Sequence, residues 1–331
     1  MNQMLPIGQI EPKLLSAASL ALAVTERRAV AEGIEEFTFA SVDGSPLPAW
    51  KPGAHVEFQL QLGGERAGRS YSLLGDPENR MRWRIAVLKQ ADGRGGSTWM
   101  HDRAVPGSIL PAIGPRNAFA LIEADRYLFI AGGIGITPLL PMIKEVSRRG
   151  KAWELVYLAR KESRFAYAQE LRTIAGGTVD FLASAEPRFD LEAKLGSLPD
   201  GTAVQACGPL PLLNALEAHA ANGARGWQLS IERFTEPELG DGERPFELQL
   251  ARSGKTLPVP ADRSVLDVLL EAGIAIESSC RSGSCGTCEC GVLVGAIDHR
   301  DQVLTPGERR QGRSMMVCVS RAAGDRLVLD L

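Results

Sequence analysis

The sequence predicts a multidomain chain. A small antiparallel β-barrel comes first, then a doubly wound α/β domain with a parallel sheet, then a compact α+β domain at the C-terminal end. Three observations predict it. Short alternating β-runs broken by Gly and Pro fill residues 20–120. Buried-strand runs then alternate with helical segments to about residue 232. After a stretch rich in Gly, Pro and Glu come a hairpin, one helix and a cysteine-dense loop. A length of 331 residues suits two or three domains. The expected bounds are 18–122, 123–232, a linker at 233–245, and 246–331.

In the first domain "HVEFQLQL" (His55 to Leu62) and "RWRIAVLK" (Arg82 to Lys89) alternate as half-buried strands. The apolar run Leu14 to Val24 follows Lys13 and has the length of a signal-peptide core. It flows into "TERRAVAEGIEEFTFAS", which has strand character and a turn, so it reads as a first strand. In the second domain "RYLFIAGG" (Arg126 to Gly133), "WELVYLA" (Trp153 to Ala159), "VDFLAS" (Val179 to Ser184) and "AVQACG" (Ala203 to Gly208) recur at βα spacing. The third opens with the hairpin "FELQLARSGKTLPVP" (Phe246 to Pro260). Its helix "SVLDVLLEAG" has Ser264 as N-cap, Asp267 at N3 and Gly273 as terminator.

Composition excludes two classes of partner. The formal charge is −3 with no long basic run, which argues against nucleic acid. No run of eighteen or more apolar residues offers a membrane span. Close-set thiols suit a reducing compartment, so a cytoplasmic location is expected.

Those thiols carry the strongest signal. "CRSGSCGTCEC" places Cys280, Cys285, Cys288 and Cys290 within eleven residues, and Cys318 lies thirty residues beyond Cys288 in "MMVCVS". C-x4-C-x2-C with a distant fourth cysteine is the plant-type [2Fe–2S] spacing. Gly283 and Gly286 let the loop fold closely, and the N–H groups of Arg281 to Thr287 face the sulfurs. Zinc and disulfides are the alternatives. A zinc ribbon uses a second C-x2-C knuckle, which is missing here. Cys290 reads as a small buried residue of the next strand.

Two further motifs point to nucleotides. In "AGGIGITPLLPMIKEV" a strand ends in Gly132, Gly133 and Gly135 before a helix. Thr137 is its expected cap and Pro138 its N1 residue, so the turn offers a helix N-terminus to a pyrophosphate. G-G-x-G departs from G-x-G-x-x-G, and a tight strand–helix turn is the alternative. "CGPLPLLNAL" (Cys207 to Leu216) supplies a second loop at the same sheet edge. In "RSYSLLGDP", Arg69 is a candidate phosphate ligand and Tyr71 a candidate flank for a planar ring; a surface salt bridge is the alternative for Arg69. The loop "GRGGSTWMH" offers backbone N–H groups, Arg94 and Ser97. The four histidines lack metal spacing and read as structural or surface residues.

Together these motifs resemble the phthalate dioxygenase reductase family, a branch of the ferredoxin–NADP reductase superfamily, from about Leu20 to Leu331. The resemblance implies a flavin barrel, a nicotinamide domain and a C-terminal plant-type ferredoxin domain of β-grasp type. R-x-Y-S is met by Arg69, Ser70, Tyr71 and Ser72, and G-R-G-G-S by Gly93, Arg94, Gly95, Gly96 and Ser97, a loop that goes with FMN. With Val87 and Lys89 these form the implied flavin site. Gly133, Gly135, Ile136, Thr137, Arg160 and Cys207 form the implied nicotinamide site, and Phe234 of "ERF" is the aromatic expected beside the flavin. Cys207 has either a direct role in placing the nicotinamide or a packing role. Cys280, Cys285, Cys288 and Cys318 are the implied cluster ligands. The implied activity passes electrons from NADH through FMN and a 2Fe-2S cluster to a Rieske-type oxygenase acting on an aromatic acid or similar small compound, with the reductase a monomer. Arg160 by itself favours NADPH, whereas the resemblance favours NADH. Competing readings are a reductase for a cytochrome or separate ferredoxin, and an iron–sulfur redox sensor without turnover.

Overall fold

The computed structural model describes residues 20–331 apart from 92, 185–188, 222–225, 235–242, 279–280, 284 and 302. It forms two compact units, one running to Glu232 and the other from Arg233 to Leu331. Of the expected linker, residues 235–242 lie outside the described residues.

The first unit begins with β1 (Leu20–Ala31), β2 (Ile34–Ser41), β3 (His55–Leu62), β4 (Glu65–Ser72) and β5 (Trp83–Leu88). After helix α1 (Gly96–Arg103), β6 (Ile109–Arg116) completes an antiparallel six-stranded sheet in the order β4-β3-β6-β1-β2-β5. Its edges meet where Leu74, just past β4, donates its N–H to Arg84 O of β5 at 2.8 Å, and the sheet curls into a barrel. Phe37, Phe39, Phe58, Trp83 and Ile85 fill it. Each fully buried side chain of this size contributes roughly 1.5–3 kcal/mol of hydrophobic stabilisation.

Helix α1 differs from expectation: the sequence reading left an exposed loop here. Gly93, Gly95 and Gly96 hide the helix from a propensity argument. The missed signal is the i, i+4 pair Met100 and Ala104, both enclosed in the barrel core.

The second layer of this unit contains β7 (Arg126–Gly132), α2 (Ile136–Arg148), β8 (Ala152–Ala159), α3 (Ala168–Thr173) and β9 (Gly177–Ala183). It continues with α4 (Leu191–Gly196), β10 (Thr202–Cys207), α5 (Leu210–Ala221) and β11 (Gln228–Glu232). The five strands are parallel, in the order β11-β10-β7-β8-β9. Chain order reverses between β7 and β10, which makes their carboxyl ends the switch point of the sheet. Gln205 of β10, fully enclosed, ties the incoming chain to the sheet. Its amide oxygen accepts from Ile122 N at 3.2 Å and its nitrogen donates to Ala120 O at 3.1 Å. The layers also share a core, in which Ile34, Leu74 and Ala86 of the barrel pack with Phe129, Leu139 and Tyr157.

The second unit holds β12 (Phe246–Leu250), β13 (Thr256–Val259), α6 (Val265–Glu271), β14 (Glu289–Val294) and β15 (Ile297–Asp298). It then adds α7 (Pro306–Gln311), β16 (Ser314–Met316), β17 (Arg321–Ala322) and β18 (Arg326–Leu329). Its main sheet runs β13-β12-β18-β14-β16, with β12 and β18 parallel, and α6 packs its apolar face into the same core. This is a β-grasp. Ser264 caps α6 by accepting from Asp267 N at 3.1 Å, and Gly273 turns the chain away at φ 76°. Arg321 is enclosed and donates to the carbonyls of Pro260 and Arg244 at 2.9 and 3.1 Å, and also to that of Arg263 at 2.5 Å. A buried guanidinium is tolerable because its donors are met in this way. Among the described residues no helix is long and apolar enough to cross a membrane.

Candidate functional site

Three places collect the residues singled out above. The first lies where β4 ends against α1. Arg69 donates from Nη2 to Arg94 O at 2.7 Å and from Nη1 to Gly68 O at 2.8 Å. A Cβ on Gly96 would stand 2.6 Å from Arg69 Cγ, so only glycine lets the guanidinium lie along the start of α1. Gly95 caps that helix at φ 75° without a side-chain bond, leaving first-turn N–H groups beside a cation. Ser97 Oγ accepts from Gln90 N at 3.1 Å and braces the loop. The hydroxyls of Ser70, Tyr71 and Ser72 are all enclosed without a hydrogen-bond partner. Unmet hydroxyls are costly unless a ligand meets them; along β4 Ser70 and Ser72 share one face and Tyr71 the other. Val87 points into the barrel core while its carbonyl bonds His101 Nε2 at 2.8 Å. Lys89 pairs with Asp102 at 2.8 Å.

The second place is the switch point. The glycines here serve a purpose that the pyrophosphate argument missed. A Cβ on Gly132 would fall 2.4 Å from Pro209 Cδ, and one on Gly135 would fall 2.1 Å from Cys207 O. The β7 and β10 loops therefore touch backbone to backbone, and glycine is required for that contact. Gly133 alone faces open space, at φ 56°. Thr137 does not cap α2. A 3₁₀ turn over Gly133–Gly135 precedes the helix, Gly135 stands at the N-cap, and Thr137 Oγ1 donates back to Ile134 O at 3.0 Å inside the first turn. Pro138 falls within that first turn, where its missing N–H costs no helix bond. Ile136 is fully enclosed, and Arg160 is exposed just past β8.

Cys207 is fully buried, and burial, helped by the Glu232 charge, pushes its thiol up well above the ordinary range. It is a protonated packing and contact group, unsuited to nucleophilic work. Glu232 pairs with it in register across β10 and β11 and was not found by sequence reasoning. It is 4% exposed, its Oε2 has no partner, and burial pushes its pKa up to about 8. An enclosed carboxyl at a ligand crevice is a candidate contact for that ligand. The signal in the sequence was a lone acid ending a strand, which a surface residue would match equally well. The folded pKa lies above the unfolded one, so this group destabilises as pH rises from about 4.5 and has its full cost above about 8. We expect Glu232→Gln to remove that slope. Melting temperatures taken at pH 6 and pH 9 should converge in the variant and diverge in the parent, and equal slopes would refute the assignment.

The third place is the cysteine loop. Cys285, Cys288 and Cys318 are enclosed, at 9%, 3% and 8% exposure, while Cys280 lies outside the described residues. Val317 N donates to Cys288 O at 3.3 Å, which brings the turn after β16 that carries Cys318 alongside the loop. Thr287 Oγ1 donates to Cys285 Sγ at 3.2 Å. Arg281, Gly283 and Gly286 all have positive φ, and a Cβ on Gly283 would stand 2.7 Å from Val319 Cγ2. The loop thus curls inward, with Gly283 against Val319 and Asp301 and Gly286 against Val303. Cys290 is a buried residue of β14, and its thiol is pushed up to about 11 by burial, then by the nearby Cys288. Phe234 stands 41% exposed at the head of the second unit.

The family model for a 2Fe-2S iron-sulfur cluster binding domain matches residues 248–323. The phthalate 4,5-dioxygenase oxygenase reductase subunit of Pseudomonas putida is 39% identical over 318 residues, covering 94% of this chain and 96% of its own. This chain belongs to the phthalate dioxygenase reductase family. The solved structure titled phthalate dioxygenase reductase superposes with a TM-score of 0.67 at 34% identity, over 95% of this chain and 98% of that one. An intact type IV self-sufficient cytochrome P450 monooxygenase superposes with a TM-score of 0.80 at 38% identity; this chain spans 43% of its length. As a member of the family the protein is an oxidoreductase of the reductase class, with barrel, parallel-sheet and iron–sulfur parts in the family's order.

Proposed function

We propose that the protein is an NADH-dependent reductase that holds FMN and a 2Fe-2S cluster and delivers single electrons to a Rieske-type oxygenase component. The carrying observation is the enclosed run of unmet hydroxyls at Ser70, Tyr71 and Ser72, beside Arg69 and the start of α1. These groups fit FMN. Arg69 and the first turn of α1 suit its phosphate, and the unmet hydroxyls on either face of β4 are the candidate contacts for its ring system and ribityl chain. The cysteine loop suits the cluster: thiolates suit iron, and Cys285, Cys288 and Cys318 are enclosed together where the loop meets the turn after β16. When bound, FMN accepts a hydride and releases electrons singly, and the cluster carries one electron at a time.

The rest is done by this chain's own residues. The switch-point loops seat a dinucleotide, with the free face of Gly133 and the start of α2 toward its pyrophosphate. Cys207 and Glu232 are buried at the ends of β10 and β11, and we assign the nicotinamide ring to this edge of the sheet. This reading takes NADH as the donor and an oxygenase acting on an aromatic acid or similar small compound as the acceptor, with the reductase a cytoplasmic monomer; the likeness to oxygenase reductase subunits supports the acceptor.

The test is the visible spectrum of the purified protein before and after anaerobic NADH. Flavin bands and a broad brown absorption should both bleach. A spectrum with no flavin, or one that NADH leaves unchanged, would overturn the reading. Arg69→Ala is expected to weaken FMN binding roughly 10- to 100-fold by loss of a charge-assisted contact, measured by fluorescence on apoprotein titrated with FMN.

A further inference from the structure

Within the first unit the barrel and the parallel sheet are joined at one buried polar point. Glu36 of β2 is 2% exposed. Its carboxylate accepts from Arg28 Nε of β1 at 2.8 Å, from Arg84 Nη2 of β5 at 2.5 Å and from Tyr167 Oη at 2.8 Å. The first two donors belong to the barrel and the third to the parallel-sheet layer. Tyr167 precedes α3 at φ 61°, a left-handed conformation that a bulky aromatic adopts only when its surroundings hold it. Seven residues separate it from the end of β8. A second tie lies beside it: Glu32 N donates to Ser163 O at 2.8 Å, and Ser163 Oγ donates to Glu32 at 2.6 Å. Both ties run from the β1–β2 hairpin to one short segment, residues 162–167.

This junction touches neither candidate cofactor place, yet it is coupled to both. Arg84 is the residue whose carbonyl closes the barrel onto Leu74, two residues past Ser72. The segment bearing Tyr167 follows β8, which pairs with β7 up to Gly132. A carboxylate held by two guanidiniums is a fixed acceptor, so the phenol has one orientation available.

We propose that Glu36 and Tyr167 are positioning residues. Their bond sets the barrel against the parallel sheet, and so sets the distance over which the hydride of the dihydronicotinamide travels to the flavin. This rests on the function proposed above. The transferred pair leaves the dinucleotide as hydride, oxidising it, and reduces the flavin by two electrons. Binding of the dinucleotide depends on the sheet alone, so loss of the bond should slow transfer and leave affinity intact.

The experiment is anaerobic stopped-flow bleaching of the flavin by NADH in the full-length loaded protein, parent against Tyr167→Phe. The limiting rate should fall about tenfold or more, with the half-saturating NADH concentration unchanged within about twofold. The long-wavelength charge-transfer band between flavin and nicotinamide should weaken in parallel. A limiting rate within about twofold of the parent overturns the proposal. If Tyr167→Phe does not load flavin, Ser163→Ala is measured the same way. It loosens the second tie, so a slower limiting rate at unchanged half-saturation supports the proposal and an unchanged rate overturns it. A parent flavin that NADH fails to bleach sinks the function itself, which separates the two failures.

Discussion

Cys285→Ser is expected to abolish electron flow to cytochrome c while leaving flavin bleaching by NADH within about twofold of the parent. A serine hydroxyl remains protonated near neutral pH and is a hard ligand, whereas iron in such clusters takes soft thiolates. The enclosed site cannot recruit water as a fourth donor, because Cys285, Cys288 and Cys318 all sit at 9% exposure or less. Cys290, buried in β14, is not free to substitute without pulling that strand out of register with Met315. The effect should therefore be a loss of about two orders of magnitude in cytochrome c reduction, together with loss of the broad brown absorption. Survival of both signals would show that the ligand set is wrong.

Gly135→Ala is expected to damage the switch point more than Gly133→Ala, although Gly133 is the residue with the left-handed backbone. Gly135 sits at φ −61°, where alanine is unstrained, but its Cβ would stand 2.1 Å from Cys207 O and 2.5 Å from Cys207 C. Those atoms are backbone and cannot rotate aside. The two loops would have to part by about an ångström, at roughly 2–3 kcal/mol and about 5–10 °C in melting temperature. At Gly133 the new methyl meets open space, and the cost is the left-handed penalty alone, about 1–2 kcal/mol. Thermal melting of both variants decides it, and NADH half-saturation should rise in Gly135→Ala because the pyrophosphate turn is displaced. Equal or reversed melting shifts would mean that the close approach of the loops does not govern this site.

Much of the molecule was legible in order of residues. Alternation along His55 to Leu62 and the glycine-ended run at Arg126 to Gly133 placed β3 and β7 within a residue of their ends. Ser264 and Gly273 marked α6 because capping is a local matter of one side chain and one backbone conformation. The cysteine spacing pointed to its chemistry because ligand spacing in a tight loop is itself a sequence property. Helix α1 was missed because three glycines precede its apolar pair. Thr137 was misplaced as a cap because the 3₁₀ turn that shifts the helix start has no residue signature of its own.

What the chain order determined by itself was periodicity, caps and ligand spacing, all of which depend on neighbours a few residues away. What only the tertiary structure decided was who meets whom across the sheets. Gly135 is required by Cys207, 72 positions away, Glu232 becomes a buried acid by pairing beside Cys207, and Glu36 becomes a junction through Tyr167. These contacts depend on strand order and register. Desolvation and steric exclusion act between atoms that the fold, not the sequence neighbourhood, brings together.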